Sequence, residues 1–261
     1  MKEVGLQIYT VRDKMETPDT YLAAMKQIRE IGYTHFQTAG KVTTIEEAEF
    51  YKKCADEAGL RICGTHFDWK IIKDDFDLAL KIHEILGTTN MGIGCMPGKE
   101  PRTEKGALLQ FIEESNEIGH KLSKYGMKFT YHNHSFEFSK IEGKTLMDYL
   151  IDGFDPSVVS FVLDTYWVQH GGYDVRKMIE RLAGRVDILH LKDMGVSFDE
   201  KKTDITEVGN GNINFEDIIP LAENTGVKDF VVEQDRNFTT GDSMESITYS
   251  FNHIKANLMN K

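Results

Sequence analysis

Four stretches of this 261-residue sequence end an apolar run on a side chain that can hold a metal ion or move a proton. Tyr131-His132-Asn133-His134-Ser135-Phe136-Glu137-Phe138 carries two histidines and a carboxylate. Phe161-Val162-Leu163-Asp164 and Phe230-Val231-Val232-Glu233-Gln234-Asp235 each stop on an acid. Ile188-Leu189-His190-Leu191-Lys192-Asp193 places a histidine inside an apolar run and a charged pair after it. An acid directly after a buried strand is costly unless its charge is compensated. A divalent cation shared by Asp164, His190 and Glu233 would compensate two such acids together. Oxygen and imidazole donors of this kind suit Mn²⁺, Mg²⁺ or Zn²⁺. Taken singly, each residue has a plainer reading: a strand-end acid caps the next helix, and a lone histidine such as His66 is hydrogen-bonded structure. Accidental convergence of all three on one mouth is the harder case to make.

The elements that must position these residues are short strands alternating with amphipathic helices. Strands are predicted near Val4–Tyr9, His35–Thr38, Arg61–Thr65, Asn90–Ile93, Lys128–Tyr131, Val159–Leu163, Ile188–Leu191 and Phe230–Val232. Each is rich in β-branched or aromatic residues and bounded by turn formers. Apolar spacings of three and four predict helices over Tyr21–Ile31, Ile45–Ala58, Phe76–Leu86, Ala107–Tyr125, Val175–Leu182, Ile218–Ala222 and Met244–Leu258. Gly32, Gly59, Gly87, Gly126 and Gly226 stand where helix C-caps are needed. With no linker and no hairpin signal, eight such units imply an α/β chain forming one (β/α)8 TIM barrel over residues 1–261. An open doubly wound sheet would show a glycine fingerprint after its first strand, and Leu6-Gln7-Ile8-Tyr9-Thr10 has none; Gly92-Ile93-Gly94 reads as a tight turn rather than a phosphate loop. In such a barrel the chemistry sits at the carboxyl ends of the strands, where all four stretches end.

Composition excludes several alternatives. A net charge of −11, with no basic cluster beyond pairs such as Lys52-Lys53, argues against a nucleic-acid partner. No apolar run approaches the ~20 residues of a membrane span. Cys54, Cys63 and Cys95 are odd in number and lack metal-type spacing, so they read as reduced thiols of a cytoplasmic protein. The first residues carry no signal-peptide apolar region, which gives the same expectation unless a leader was trimmed. Nothing in the pattern argues against a homo-oligomer.

In their order and spacing, these motifs resemble the xylose isomerase-like TIM-barrel superfamily of sugar-phosphate isomerases and epimerases, over essentially the whole chain. The element Val208-Gly209-Asn210-Gly211-Asn212-Ile213-Asn214-Phe215 resembles the turn that precedes the family's seventh helix. The resemblance implies one divalent metal, often manganese, held by Glu, Asp, His and Glu from strands five to eight. Asp164, His190 and Glu233 match directly. His132 aligns where many relatives carry the first glutamate, and in a His-Asn-His-x-x-Glu-Phe subgroup Glu137 is expected to swing back to the metal. That leaves His132 and His134 as ligands or acid–base groups.

Such a site suits a small sugar substrate. A cation chelating a carbonyl and its neighbouring hydroxyl stabilises an enediolate. Glu233 and Glu137 are the expected proton-exchanging pair, with His66, His132 or His134 able to replace one of them. Lys192 and Arg236 would bind an oxyanion or anionic group, or form surface ion pairs, and Tyr9 and Trp167 would stack on the sugar. The leading expectation is a metal-dependent isomerase or epimerase of a small ketose or keto-polyol. The alternative is a dehydratase or lyase acting on an inosose or 3-keto sugar through the same residues. An apurinic endonuclease-like enzyme, which would need a basic DNA groove, and a non-catalytic sugar-binding barrel complete the set.

Overall fold

The computed structural model describes residues 1–40, 42–199 and 202–259. Eight parallel strands form a nearly closed barrel: β1 (Gly5–Gln7), β2 (His35–Ala39), β3 (Arg61–His66), β4 (Asn90–Ile93), β5 (Lys128–His132), β6 (Val159–Asp164), β7 (Val186–Leu191) and β8 (Asp229–Val232). Ladder hydrogen bonds run in the order β3-β2-β1-β8-β7-β6-β5-β4, so only β3 and β4 face each other without a ladder. Individual bonds stitch that seam. Phe67 N donates to Gly92 O (2.6 Å), Gly92 N to Thr65 Oγ1 (3.3 Å) and Asn90 Nδ2 to Cys63 O (3.0 Å). Gly92 has no space for more: a Cβ there would stand 2.4 Å from Thr130 Oγ1 and 2.5 Å from Thr65 O.

Eight main helices among the described residues surround the strands, besides the short helices Trp69–Asp74, Glu100–Thr103 and Thr165–His170: α1 (Pro18–Ile31), α2 (Ile45–Ala58), α3 (Phe76–Leu86), α4 (Lys105–Ser123), α5 (Leu146–Gly153), α6 (Val175–Arg181), α7 (Phe215–Asn224) and α8 (Ser243–Asn257). All but α4 start on a side-chain cap. Thr17, Thr44 and Thr145 each form a capping box, and Asp75, Asp174, Asn214 and Asp242 accept from backbone N–H groups of the first turn. Gly59 and Gly87 end α2 and α3 in the left-handed conformation, as their positions predict. Each helix turns one apolar stripe inward: in α1, Tyr21, Ala24, Met25 and Ile28 are buried against the sheet. Inside the barrel, Cys63, Val162, Ile188 and Val231 form a small separate layer.

The structure departs from the sequence-based expectation in several places, the three short helices among them. β1 ends at Gln7 rather than Tyr9, because the Gln7 side chain accepts from Tyr9 N and starts a 3-10 turn over Ile8–Lys14. The helix α5, absent from the prediction, carries Leu146, Met147, Leu150 and Ile151 inward. Two antiparallel ribbons occupy loops on the carboxyl side: 140–141 with 144–145, and Asp193–Ser197 with Lys202–Thr206. No helix among the described residues is long and apolar enough to cross a membrane.

Candidate active site

The carboxyl ends of β5 to β8 bring His132, Asp164, His190 and Glu233 together. One donor atom from each lies within 4.8 Å of all the others, and all four residues are buried. His190 Nδ1 is 2.8 Å from Glu233 Oε2 and 3.7 Å from Asp164 Oδ2. His132 Nε2 is 3.4 Å from Asp164 Oδ2 and 3.9 Å from Glu233 Oε2.

Hydrogen bonds around these four residues fix how each presents its donor. Gln7 Oε1 accepts from the backbone N–H of Tyr9, which can only donate, so Gln7 Nε2 is the end that reaches Gln37 Oε1 at 2.9 Å. Gln37 Oε1 is therefore an acceptor, and His190 Nε2, 2.7 Å away, carries the hydrogen. That leaves Nδ1 facing the two carboxylates; burial works against a charged ring, but Glu233 and Asp164 outweigh it and raise the His190 pKa, so Nδ1 holds a proton that a metal ion would replace. The carbonyl of Gly94 likewise obliges His132 Nδ1 to donate (3.0 Å), which turns the Nε2 lone pair inward. Asp164 divides its oxygens: Oδ1 caps the short helix Thr165–His170 by accepting from Trp167 N (2.9 Å), and Oδ2 faces the group. Its own backbone N–H donates to Asn133 Oδ1. The cap uses only Oδ1 and so leaves Oδ2 available to the group. Two imidazole nitrogens and two carboxylate oxygens, with orientation set by outer hydrogen bonds, form a donor set that fits one divalent ion.

Lys192 lies against this group, fully buried. Its ammonium is 2.7 Å from Glu233 Oε2, 3.0 Å from Asp164 Oδ2 and 3.1 Å from Asp235 Oδ2, with the ring of Trp167 5.3 Å away. Burial works against a charged lysine, but the three carboxylates outweigh it and raise its pKa. Burial also pushes Glu233 and Asp164 up, and the Lys192 ammonium overrides it and holds both below the usual carboxylate range. Asp235 goes the other way, raised by burial and by Glu233.

The remaining expected residues separate into distinct places. Glu137 is not brought into the group of four. Its Oε1 accepts from the Tyr131 hydroxyl (2.6 Å) and its Oε2 from His134 N (2.8 Å), in a site so buried that its pKa is pushed up to about 8. The turn Phe136–Phe138 that follows His134 points this carboxylate back into the protein, and His132 supplies the strand-five donor. His66, on β3, stacks on His132 with ring centres 4.8 Å apart, and its Nδ1 is 3.4 Å from Gln7 Nε2. Its buried Nε2 has no partner among the described residues, nor have His134 Nδ1 and Trp167 Nε1. Burial, then His132, lowers both His66 and His134, the latter to about 3, so both rings are neutral. Arg236 is half exposed and pairs with Asp204 at 2.8 Å, and Tyr9 is partly exposed at the mouth. A cavity of about 470 Å³ lies over the group, lined by Tyr9, His66, His134, Lys192, Asp235 and Arg236 among others.

Sequence reasoning places Gln37 and Asn133 at strand ends but assigns no role to them, to Asp235 or to the two acids that hold the loops. Asp193 accepts from the backbone N–H groups of Met194, Gly209, Gly211 and Ile213 at 2.8–3.1 Å; a Cβ at Gly211 would stand 2.3 Å from Asp193 Oδ1, and Gly209 has a φ of +93° against the His253 ring. Glu207 accepts from Ser246 Oγ (2.6 Å), Thr239 N (2.9 Å) and Gln234 Nε2 (3.3 Å), tying the loop after β7 to the one carrying Glu233 and Asp235.

Residues 25–249 match the family model for the xylose isomerase-like TIM barrel. The chain belongs to that family. It resembles inosose dehydratases: 31% identity over 83 residues to the protein of Geobacillus kaustophilus, covering 32% of this chain and 26% of that one. For Clostridium perfringens the match is 24% over 157 residues, covering 55% of this chain and 52% of the relative. The match thus spans about a quarter to a half of the length of these curated relatives. Among solved structures, a sugar phosphate isomerase/epimerase from Parabacteroides distasonis superposes with a TM-score of 0.81 at 24% identity, over all of this chain and 96% of that one. A family member from Mycobacterium smegmatis in complex with magnesium gives 0.72 at 16%, over 97% and 95%.

Proposed function

We propose that this chain is a metal-dependent lyase that removes a proton next to the carbonyl of a keto sugar or inosose and expels the β-oxygen substituent. The observation that carries the reading is the convergence of His132 Nε2, Asp164 Oδ2, His190 Nδ1 and Glu233 Oε2, each oriented by an outer hydrogen bond or a cap or by its neighbours in the group. These four would hold the divalent ion, Mn²⁺ first among Mn²⁺, Mg²⁺ and Zn²⁺. Bound there, the ion would supply Lewis-acid polarisation of a ketone oxygen and its neighbouring hydroxyl.

The proton chemistry falls to residues of the cavity. Asp235 lines it and is not one of the four, and burial and Glu233 raise its pKa above the ordinary carboxylate value, the direction that strengthens a base. It takes the α-proton and returns it to the departing oxygen on the same face. Lys192, with its charge held by Glu233 and Asp164, steadies the negative charge that develops on the substrate. The unpartnered Nε2–H of the neutral His66 is a hydrogen-bond donor for a sugar oxygen.

Two observations favour elimination over the isomerase or epimerase. Exchange between opposite faces needs a second acid–base group. Glu137, the expected partner, is bonded to Tyr131 and His134 N instead, and the lowered pKa of His66 and of His134 makes both poor proton acceptors. The curated relatives are also inosose dehydratases.

The test is to incubate the Mn²⁺-loaded protein with scyllo-inosose and with 3-keto-glucose in D₂O. An ultraviolet-absorbing unsaturated ketone, lost in Asp235→Asn by ~10²–10⁴-fold with metal content unchanged, supports the reading. Deuterium entering an equilibrating ketose pair without any absorbing product would replace it with the isomerase.

A further inference from the structure

Beside the mouth lies a second, smaller cavity of about 240 Å³, formed between the turn after β1, the end of β2, and helices α1 and α2. It shares Tyr9, Ala39 and Gly40 with the first cavity, so the two are contiguous at that rim. Its character differs. Ile8, Met15, Tyr21 and Tyr51 give it a largely apolar lining, with the Tyr21 and Tyr51 rings 4.6 Å apart. Arg12 fixes the divide: its guanidinium lies 4.0 Å over the Tyr9 ring and donates to Tyr9 O (2.7 Å) and Asp235 O (2.9 Å). One polar atom is out of place there. Tyr21 is 3% exposed, and its hydroxyl has no hydrogen-bond partner among the described residues.

We infer that this annex receives an aryl substituent carried by the sugar, so that the substrate is an aryl-substituted keto sugar rather than a bare one. The inference rests on the lyase reading of the mouth. A second sugar ring would bring several hydroxyls into a lining that can satisfy few of them, at a cost for each. An aromatic ring brings none, and an apolar cavity on the order of 150 Å³ is enough for benzene. The tyrosine rings offer edge and face contacts to such a ring. A buried hydroxyl without a partner is rare enough to need a reason. A phenolic oxygen on the ring, reaching Tyr21, is that reason.

The experiment titrates the Mn²⁺-loaded protein with methyl, phenyl and 4-hydroxyphenyl 3-keto-β-D-glucopyranosides by calorimetry, and with phenol alone by saturation-transfer NMR. Phenyl is expected to bind about tenfold or more tightly than methyl. Met15→Trp, which fills the annex, should erase that advantage and leave the methyl glycoside unchanged. Tyr21→Phe should erase any preference for 4-hydroxyphenyl over phenyl. Equal binding of phenyl and methyl, or an advantage that survives Met15→Trp in a variant with native circular dichroism, overturns the inference. Binding of phenol but of none of the three glycosides refutes the sugar reading of the mouth and the substrate assignment with it.

Discussion

Glu137 offers a sharp test of how burial sets the behaviour of this molecule. Its carboxyl is enclosed between the Tyr131 hydroxyl and His134 N, and burial raises its pKa from 4.5 to about 8. The folded protein therefore holds this proton more tightly than the unfolded chain does. The stabilising effect is complete below about pH 4.5 and is lost as pH rises through 8. At 1.36 kcal/mol per unit, the folded state forfeits about 3 kcal/mol at pH 7 and on the order of 4 by pH 8. Glu137→Gln keeps the shape and an acceptor for Tyr131 or His134 N but has nothing to ionise. Relative to wild type, the variant should gain on the order of 3 kcal/mol in stability between pH 5 and pH 8. Urea unfolding of metal-free protein at the two pH values measures this directly, and every other titrating group cancels in the comparison. Parallel pH dependence in the two proteins would mean that Glu137 is ionised without penalty, and the account of its enclosure would fall.

Three further outcomes follow from the same geometry. Lys192→Met leaves Asp164, Glu233 and Asp235 without their ammonium, so the metal-free variant should lose about 3–5 kcal/mol, and Mn²⁺ should raise its melting temperature more than that of wild type; equal melting with chelator present would deny Lys192 its compensating role. The double variant Asp164→Ala/His190→Ala should purify without the roughly one metal ion per chain expected of wild type, read by mass spectrometry, and equal metal in both would disperse the proposed donor set. Gly92→Ala should cost about 1–3 kcal/mol or more in thermal unfolding, since the added methyl meets Thr130 Oγ1 and Thr65 O at the seam, and an unchanged midpoint would show that the seam yields freely.

The barrel was readable because its signals are local. Alternating apolar runs, threonine and aspartate caps, and glycines past helix ends each act within a few residues, and all agree. The helix α5 was missed despite Leu146, Met147, Leu150 and Ile151 at helical spacing, because eight residues give periodicity little length to declare itself. Asp164, His190 and Glu233 could be marked because an acid or imidazole ending a buried strand is anomalous on its own. The role of Glu137 could not be read, because it depends on which way a three-residue turn points one carboxylate. Gln37 was likewise hidden: its part in orienting His190 spans 153 residues and becomes visible only when β1, β2 and β7 are assembled.

The seam between β3 and β4 has a consequence for motion. The four donor residues sit on β5 to β8, strands joined by an unbroken ladder, while the barrel's least-bonded edge lies elsewhere in the ring. If the barrel breathes, it parts first between β3 and β4, and amide hydrogens there exchange with solvent ahead of those in β6 and β7. That parting would leave the spacing of Asp164, His190 and Glu233 intact. It would shift only His66, at the end of β3, and the Gly94 carbonyl beyond β4 that holds His132 in its tautomer. The molecule thus confines its weakest line to the edge farthest along the ladder from β6, β7 and β8, and of the four donors only His132, through its Gly94 contact, would feel that fluctuation.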